Sequence, residues 1–401
     1  MSTPTGTVLP ASRLATQHVL VVDDNPVNCD LLLRRLKRMG LERVDCVDNG
    51  EAALALLRAH PYDLVLLDVM MPVMNGYGVL MALRSEGQLP ELPVLMVSAA
   101  DELSGVIRCI ELGAQDYLTK PLNPQLLEAR VRATLERKHL RDLMASQLER
   151  TRRDLLAARR LQLSMVPPDR PQPGAHGPLC VAARLTPARE IGGDLIDHFP
   201  LTDGHYLLAL GDVSGKGAEA ALCMARTVSL LRATAHPHWQ NGHDAAQTVA
   251  AILSDTNAAL AEANDSAQFV TLFLAVADLH GNRLSYACAG HPAPYLRHTG
   301  SARMLPVSPT LPLGVTPAYR ATVETIDVPP GASLLAYSDG VTEALHVDGT
   351  LFGDARLAQL LDACSSLAPQ HVVSAVADGI HDFAAGAEQS DDIALLAWTR
   401  P

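Results

Sequence analysis

Five short apolar runs open the chain, at 18–22, 43–47, 64–67, 94–97 and 116–118, and each is separated from the next by a stretch with helical spacing. Strands that alternate with helices predict a parallel sheet covered by helices on both faces. Residues 123–165 then contain no Gly, and their one Pro, Pro124, stands where it suits the first turn of a helix. A single long helix is predicted there. Within it Met144, Leu148, Thr151, Leu155, Ala158 and Gln162 step by four and three, a heptad spacing whose seam turns polar at Thr151 and Gln162. A helix with one apolar stripe must bury it, either on its own domains or against a second copy in a parallel coiled coil. Pro167 and Pro168, with the Pro/Gly-rich stretch to Pro178, end the helix.

From residue 179 the pattern changes to strands at 179–185, 206–213, 269–277, 283–289, 321–328, 333–338 and 393–398, with helices near 219–234, 245–262 and 371–383. Strands, then helices, then strands again predict an α+β sandwich. The expected architecture is therefore a doubly wound five-stranded parallel α/β domain, a long helical linker and an α+β sandwich. The boundaries read as a disordered tail at 1–17, a first domain at 18–122, the linker at 123–166 and a second domain at 167–401.

Length and composition fit this division, since 401 residues suffice for two or three cores. A net charge of −12 argues against nucleic acid as a main partner, and no basic recognition helix follows the first domain, so no DNA binding is expected. No apolar run approaches the length of a membrane span, so a soluble, cytoplasmic protein is expected. Seven scattered cysteines, none spaced C-x-x-C, signal neither a zinc site nor a disulfide framework.

Chemistry gathers at the carboxyl ends of strands, where open α/β sheets place their sites. In the first domain Asp23 and Asp24 follow the first strand, Asp68 the third and Ser98 the fourth, while Tyr117 lies on the fifth and Lys120-Pro121 just past it. Carboxylates meeting at one edge repel by roughly 4 kcal/mol per pair at 4 Å and an effective dielectric near 20, a cost that a divalent cation such as magnesium removes. This set resembles the receiver domain of response regulators. The resemblance implies that Asp68 accepts a phosphoryl group from a sensor histidine kinase or phosphotransfer protein. It also implies that Asp23, Asp24, Asp68 and the Met70 carbonyl hold Mg2+, that Ser98 and Lys120 meet the phosphoryl oxygens, and that Tyr117 is a rotating switch aromatic.

In the second domain the apolar strand Leu208-Ala-Leu-Gly-Asp212 breaks into Val-Ser-Gly-Lys-Gly217, which lacks the Lys-Ser/Thr step of a phosphate-binding P-loop. A carboxylate at the end of a buried strand calls for a cation or donors. Further acids stand at Ile191-Gly-Gly-Asp194-Leu-Ile-Asp197, Ala336-Tyr-Ser-Asp339-Gly and Asp391-Asp392-Ile-Ala. They make an oxygen-donor set for hard cations, with no His/Cys group that would favour zinc. Asp203, Asp265 and Asp278 read as turn formers. With Gln268-Phe-Val-Thr and Ala289-Gly-His-Pro, the motifs resemble the metal-dependent protein phosphatases related to protein phosphatase 2C, in their bacterial stress and sporulation branch. The helix end from Ala157 to Pro168 resembles the signalling helix that precedes such domains.

The resemblance implies that Asp212, the Val213 carbonyl, Asp339 and Asp391 bind two Mn2+ or Mg2+ ions, with Asp194 and Asp392 behind them. Such an ion pair lowers the pKa of a shared water, and the resulting hydroxide attacks phosphorus. His291 is either a structural histidine or an acid that protonates the leaving oxygen. Together these readings imply a dimeric response regulator that dephosphorylates a phosphoserine or phosphothreonine partner, an anti-sigma-factor antagonist by resemblance, under control of Asp68 phosphorylation. The alternative is a non-catalytic, phosphatase-like adaptor.

Overall fold

The computed structural model describes residues 11–99, 103–169, 179–202, 204–262, 264 and 267–400. Asp203, Asp265, most of the Pro/Gly stretch before residue 179 and the first ten residues of the expected tail lie outside them. The chain divides into two compact units, Met1–Thr151 and Arg152–Pro401.

In the first unit α1 (Ala11–Leu14) precedes β1 (His18–Val22), α2 (Pro26–Arg38), β2 (Arg43–Val47), α3 (Gly50–Ala59), β3 (Leu64–Asp68), α4 (Gly76–Ser85), β4 (Val94–Ala99), α5 (Leu103–Leu112) and β5 (Asp116–Lys120). The strands form one sheet in the order β2-β1-β3-β4-β5, all pairs parallel. Side chains alternate across it: Val19, Val21, Leu64 and Leu66 join one core, and Leu20, Val22, Val65 and Leu67 join the other. Three helices begin with the same device, as the side chains of Asn25, Asn49 and Asn75 accept the backbone N–H of Val27, Ala52 and Gly78.

Two expectations are corrected in this unit. The tail is structured from Ala11 onward, and Leu14 is fully buried with Leu36 and Leu41. Cys29 and Cys46 form a disulfide, because parallel pairing sets Cys46 opposite Val21 and α2 folds Cys29 back over that edge. A separation of 17 residues with no motif carries no such signal in the sequence.

The long helix is α6 (Pro124–Met165). Its first turns belong to the first unit, since Leu127, Val131 and Leu135 are fully buried in that unit's core, spaced by four. The first domain thus runs past the expected boundary at 122.

The second unit takes in the end of α6 and continues with β6 (Cys180–Thr186), β7 (Leu195–Thr202), β8 (His205–Val213), α7 (Ala218–Gln240), α8 (Ala245–Glu262), β9 (Val270–Asp278) and β10 (Arg283–Ala289). It closes with β11 (Tyr295–His298), β12 (Ser301–Met304), β13 (Glu324–Asp327), β14 (Ser333–Tyr337), α9 (Asp339–Thr342), α10 (Gly353–Ala363), α11 (Pro369–Ala384) and β15 (Ile393–Thr399). Two antiparallel sheets result, β13-β10-β9-β8-β7 and β12-β11-β14-β15-β6.

Period-two alternation fixes the layering. Leu208, Leu210, Phe273, Ala394, Leu396 and Trp398 fill the space between the sheets. Their neighbours Leu207, Ala209 and Leu274 face α7 and α8, and Leu395 and Ala397 face α10 and α11. The α+β sandwich is therefore four layers deep, helices outside and sheets inside. Asp278 is the turn former expected, accepting the N–H of His280 and Gly281.

The burial of α6 in the first core generates a stability prediction. Leu135→Ala should cost about 2–5 kcal/mol, as large-to-small core changes do. Leu126→Ala, at a position 41% exposed on the same helix, should stay within about 0.5 kcal/mol. Urea unfolding of the full chain measures both.

Candidate functional sites

Sheet order places the first site. In a 2-1-3-4-5 sheet the direction of winding reverses between β1 and β3, and the carboxyl ends of those strands open a crevice. Asp23 and Asp24 follow β1 there, and Asp68 ends β3. One carboxylate oxygen from each lies within 4.8 Å of the others, the grouping expected of cation ligands. Asp23 is held by the backbone N–H of Asn25 at 3.0 Å and by Asn28 Nδ2 at 3.1 Å. Lys120 reaches in from the end of β5, with Nζ 2.9 Å from Asp23 Oδ2 and 2.8 Å from Asp68 Oδ2.

Burial pushes the Asp68 carboxyl up, and the hydrogen bond and charge of Lys120 oppose it. Burial pulls the Lys120 ammonium down, but its bonds to Asp68 and Asp23 outweigh this and leave it raised. One ammonium facing three carboxylates leaves negative charge over, and a cation there would balance it. Ser98 is buried on β4 beside β5, in register with Thr119, and Tyr117 is half-buried on β5. Met70 stands in the loop leaving β3, its side chain exposed.

The second site is built at one end of the sandwich. Asp212 is the penultimate residue of β8, Asp339 opens α9 directly after β14, Asp391 and Asp392 precede β15, and Asp194 precedes β7. Burial pushes Asp212 up to about 7, helped next by the charge of Asp339 and further by Asp391 and Asp392. Asp339 is raised by burial and then by Asp391. Asp194 is raised well above the carboxylate range by burial and then by Asp212, and its buried Oδ2 has no hydrogen-bonding partner. The acids are thus within one another's field, although among the described residues only the Asp23 group draws three ligand atoms within 4.8 Å. Orphaned, proton-retaining carboxyls of this kind fit divalent cations, which would replace the protons. Lys216 flanks the set, with Nζ 3.1 Å from Asp391 Oδ2 and 2.8 Å from the Ser390 carbonyl.

Asp392 has a different task from Asp391. Its Oδ1 accepts the N–H of Ala188 at 2.8 Å and its Oδ2 that of Gly193 at 2.7 Å. It pins the loop that carries Asp194. Gly192 and Gly193 are required by close approach: a Cβ on Gly192 would meet Asp392 Oδ2 at 1.9 Å, and one on Gly193 would meet the Val213 carbonyl at 2.7 Å.

Of the two readings of His291, its surroundings favour the structural one. Its Nδ1 lies 2.9 Å from Thr271 Oγ1, and burial pulls its pKa down to about 3, with the Tyr337 backbone opposing. Sequence reading assigned no role to Asp197, which is fully buried and receives Arg232 through two bonds, Nε at 2.8 Å and Nη2 at 2.7 Å. A lone Asp inside an apolar strand is the signal that a distant Arg must answer it.

Comparison with known proteins finds a family for each of the two units. The family of the response regulator receiver domain matches residues 19–132, and that of stage II sporulation protein E (SpoIIE) matches residues 202–401. "Probable transcriptional regulator ycf27" of Cyanidium caldarium is 40% identical over 120 residues, covering 30% of this chain and 47% of that protein. Protein IcfG of Synechocystis sp. is 29% identical over 236 residues, covering 54% of this chain and 37% of that protein. The chain thus spans less than half the length of these curated relatives. Among solved structures, the SiaA-PP2C domain of Pseudomonas aeruginosa superposes with a TM-score of 0.53 at 20% identity, over 64% of this chain and 99% of that one, which is a likeness of fold.

The raised Asp212 yields a pH prediction. Its ordinary value is 3.8 and its folded value about 7, so between those values the folded chain holds a proton that the unfolded chain has released. Stability without divalent cations therefore falls as pH rises through that window. In chelator the melting temperature should drop between about pH 4 and pH 7, Asp212→Asn should flatten the drop, and Mn2+ should restore the wild type at pH 7. Differential scanning fluorimetry reads all three.

Proposed function

We propose a phosphorylation-controlled protein phosphatase: the chain carries a response regulator receiver domain, residues 19–132, and a SpoIIE-type, PP2C-like phosphatase domain, residues 202–401, and it hydrolyses phosphoserine or phosphothreonine on a partner protein. The observation that supports this reading best is the gathering of Asp212, Asp339 and Asp391, with Asp194 behind them, into one electrostatic group at the strand ends. No helix among the described residues is long and apolar enough to cross a membrane.

In the phosphatase unit Asp212 and the Val213 carbonyl, with Asp339 and Asp391, would hold two Mn2+ or Mg2+ ions. Bound divalent cations supply a water acidic enough to give hydroxide near neutral pH. The chain's own work is to aim that chemistry. Asp194, unpartnered at Oδ2, would accept a hydrogen bond from a bound water, Asp392 keeps its loop in place, and Lys216 offers positive charge at the rim.

In the receiver unit Asp68 is the phosphoryl acceptor, supplied by a sensor histidine kinase or phosphotransfer protein. Asp23, Asp24, Asp68 and the Met70 carbonyl would hold Mg2+, and Lys120 and Ser98 would meet the phosphoryl oxygens, with Tyr117 as the switch aromatic. Lys120 would then exchange its contact with the Asp68 carboxylate for one with the phosphoryl group. Phosphorylation acts on the phosphatase through α6 and activates it. The substrate is a phosphorylated anti-sigma-factor antagonist.

A homodimer forms through α6, whose middle leaves Leu140, Met144 and Leu148 exposed at a spacing of four. Stripes of this kind call for a partner helix. Of the remaining seam positions, Thr151 is exposed, Leu155 and Ala158 are half-buried and Gln162 is buried.

Release of phosphate from a phosphoserine antagonist protein with Mn2+ tests the activity. Asp212→Ala should lose at least about a hundredfold in kcat, and beryllium fluoride on Asp68 should raise the wild-type rate. No turnover together with tight partner binding would mark an adaptor instead. For assembly, Leu148→Glu should convert the dimer to a monomer in light scattering, with the fold retained by circular dichroism.

A further inference from the structure

The last turns of α6 hold a contact that a coiled-coil seam does not require. Gln162 is buried at 5% exposure, its Nε2 donates to the Gly192 carbonyl at 2.7 Å, and its Oε1 accepts the Gly192 N–H at 3.1 Å. One side-chain amide thus satisfies both backbone groups of a single residue, as a neighbouring strand would. Val166, one helical turn on, packs against the core between the two sheets, so this end of the helix is anchored by apolar contact as well.

Gly192 has no side chain with which to fix itself. Its loop is pinned on one side by Asp392, through Ala188 and Gly193, and on the other by Gln162. The residues that follow are the ones that matter chemically. Gly193 lies against the Val213 carbonyl and Asp212 Oδ1, and Asp194 follows with its unpartnered oxygen. If the amide at position 162 is lost, a buried N–H and C=O are left unpaired, and the loop gains reason to shift toward water.

We propose that Gln162 is a positioning residue of the phosphatase site: by clamping the Gly192 peptide it fixes Asp194 and the packing behind Val213, and so sets how readily the site takes up divalent cations. The kinetic part of this proposal rests on the phosphatase reading, and the cation-binding part does not. Residue 162 lies outside the segment matched to SpoIIE, in a helix that also contributes to the receiver core. The clamp therefore gives the linker a point of purchase on the site that a general packing contact would not.

The experiment compares full-length wild type with Gln162→Met, which keeps the length of the side chain, and Gln162→Leu, which is one atom shorter, both of which remove the two hydrogen bonds, and with Leu161→Ala, at a position 70% exposed, as control. Three quantities are read: Mn2+ affinity by isothermal titration calorimetry, hydrogen exchange of peptides covering 188–194, and kcat and KM on a phosphoserine protein. Residues that support metal ligands from behind typically change affinity by about 10- to 100-fold. A weakening of that order is expected in both Gln162 variants, with faster exchange confined to the loop, lower kcat at unchanged KM, and no change in Leu161→Ala. Wild-type Mn2+ affinity and wild-type exchange in both Gln162 variants would overturn the proposal. If wild type binds Mn2+ and the variants weaken it, yet wild type turns over no phosphoserine protein, the clamp stands and the phosphatase reading falls. Using two variants separates loss of the clamp from a folding defect peculiar to either one.

Discussion

Like charge brought together at the ends of buried strands is the constraint on which both units turn. A strand whose two faces are apolar delivers its terminal carboxylate into a poorly solvated place, where ionisation is costly without a counter-charge. The receiver unit offsets part of this with Lys120, placed between Asp23 and Asp68. The phosphatase unit leaves Asp194 raised by burial and then by Asp212, and Asp212 raised by burial and then by Asp339, with the hydrogen bond from Asp194 opposing. Where the protein instead intends a closed structural charge pair, it supplies a full partner, as Arg232 does for Asp197. The contrast separates acids that await a ligand from acids already answered.

Everything else in the fold serves to present those ends. Period-two alternation gives each sheet two apolar faces, and helices must cover them, so the only places left for polar chemistry are the edges where strands stop. Glycines at 192, 193 and 340 then let backbone pass within contact distance of the acids, where any Cβ would collide. Asp392 and Gln162 hold the glycine loop that lacks side chains of its own.

Much of this was legible in the sequence, and the reason is physical. Strands β1, β2 and β10 and helix α8 have the limits read from apolar runs and their polar breaks, since β1 and β10 are buried along nearly their whole length and β2, a part-exposed edge strand, keeps the alternation Arg43-Val-Asp-Cys-Val47. The acids at strand ends stood out for the same reason. What escaped was set by contacts distant in sequence. Strand β7 was hidden behind Asp194 and Asp197, since a buried Asp reads as a break until Arg232 is known to meet it. The short strands β11 and β12 carry too few apolar residues to declare themselves. The Cys29–Cys46 bond depends on which strands lie side by side, and Gln162 looked like a weak seam position because its partner is a glycine peptide thirty residues later.

The central claim is that Asp212, Asp339 and Asp391 form a seat for divalent cations. Anomalous diffraction at the manganese edge, from crystals of the full chain grown with Mn2+, tests it most directly. The account predicts strong peaks in contact with the Asp212 carboxylate, one of them shared with Asp339 and Asp391. Manganese density at Asp23, Asp24 and Asp68 with none beside Asp212 would contradict it.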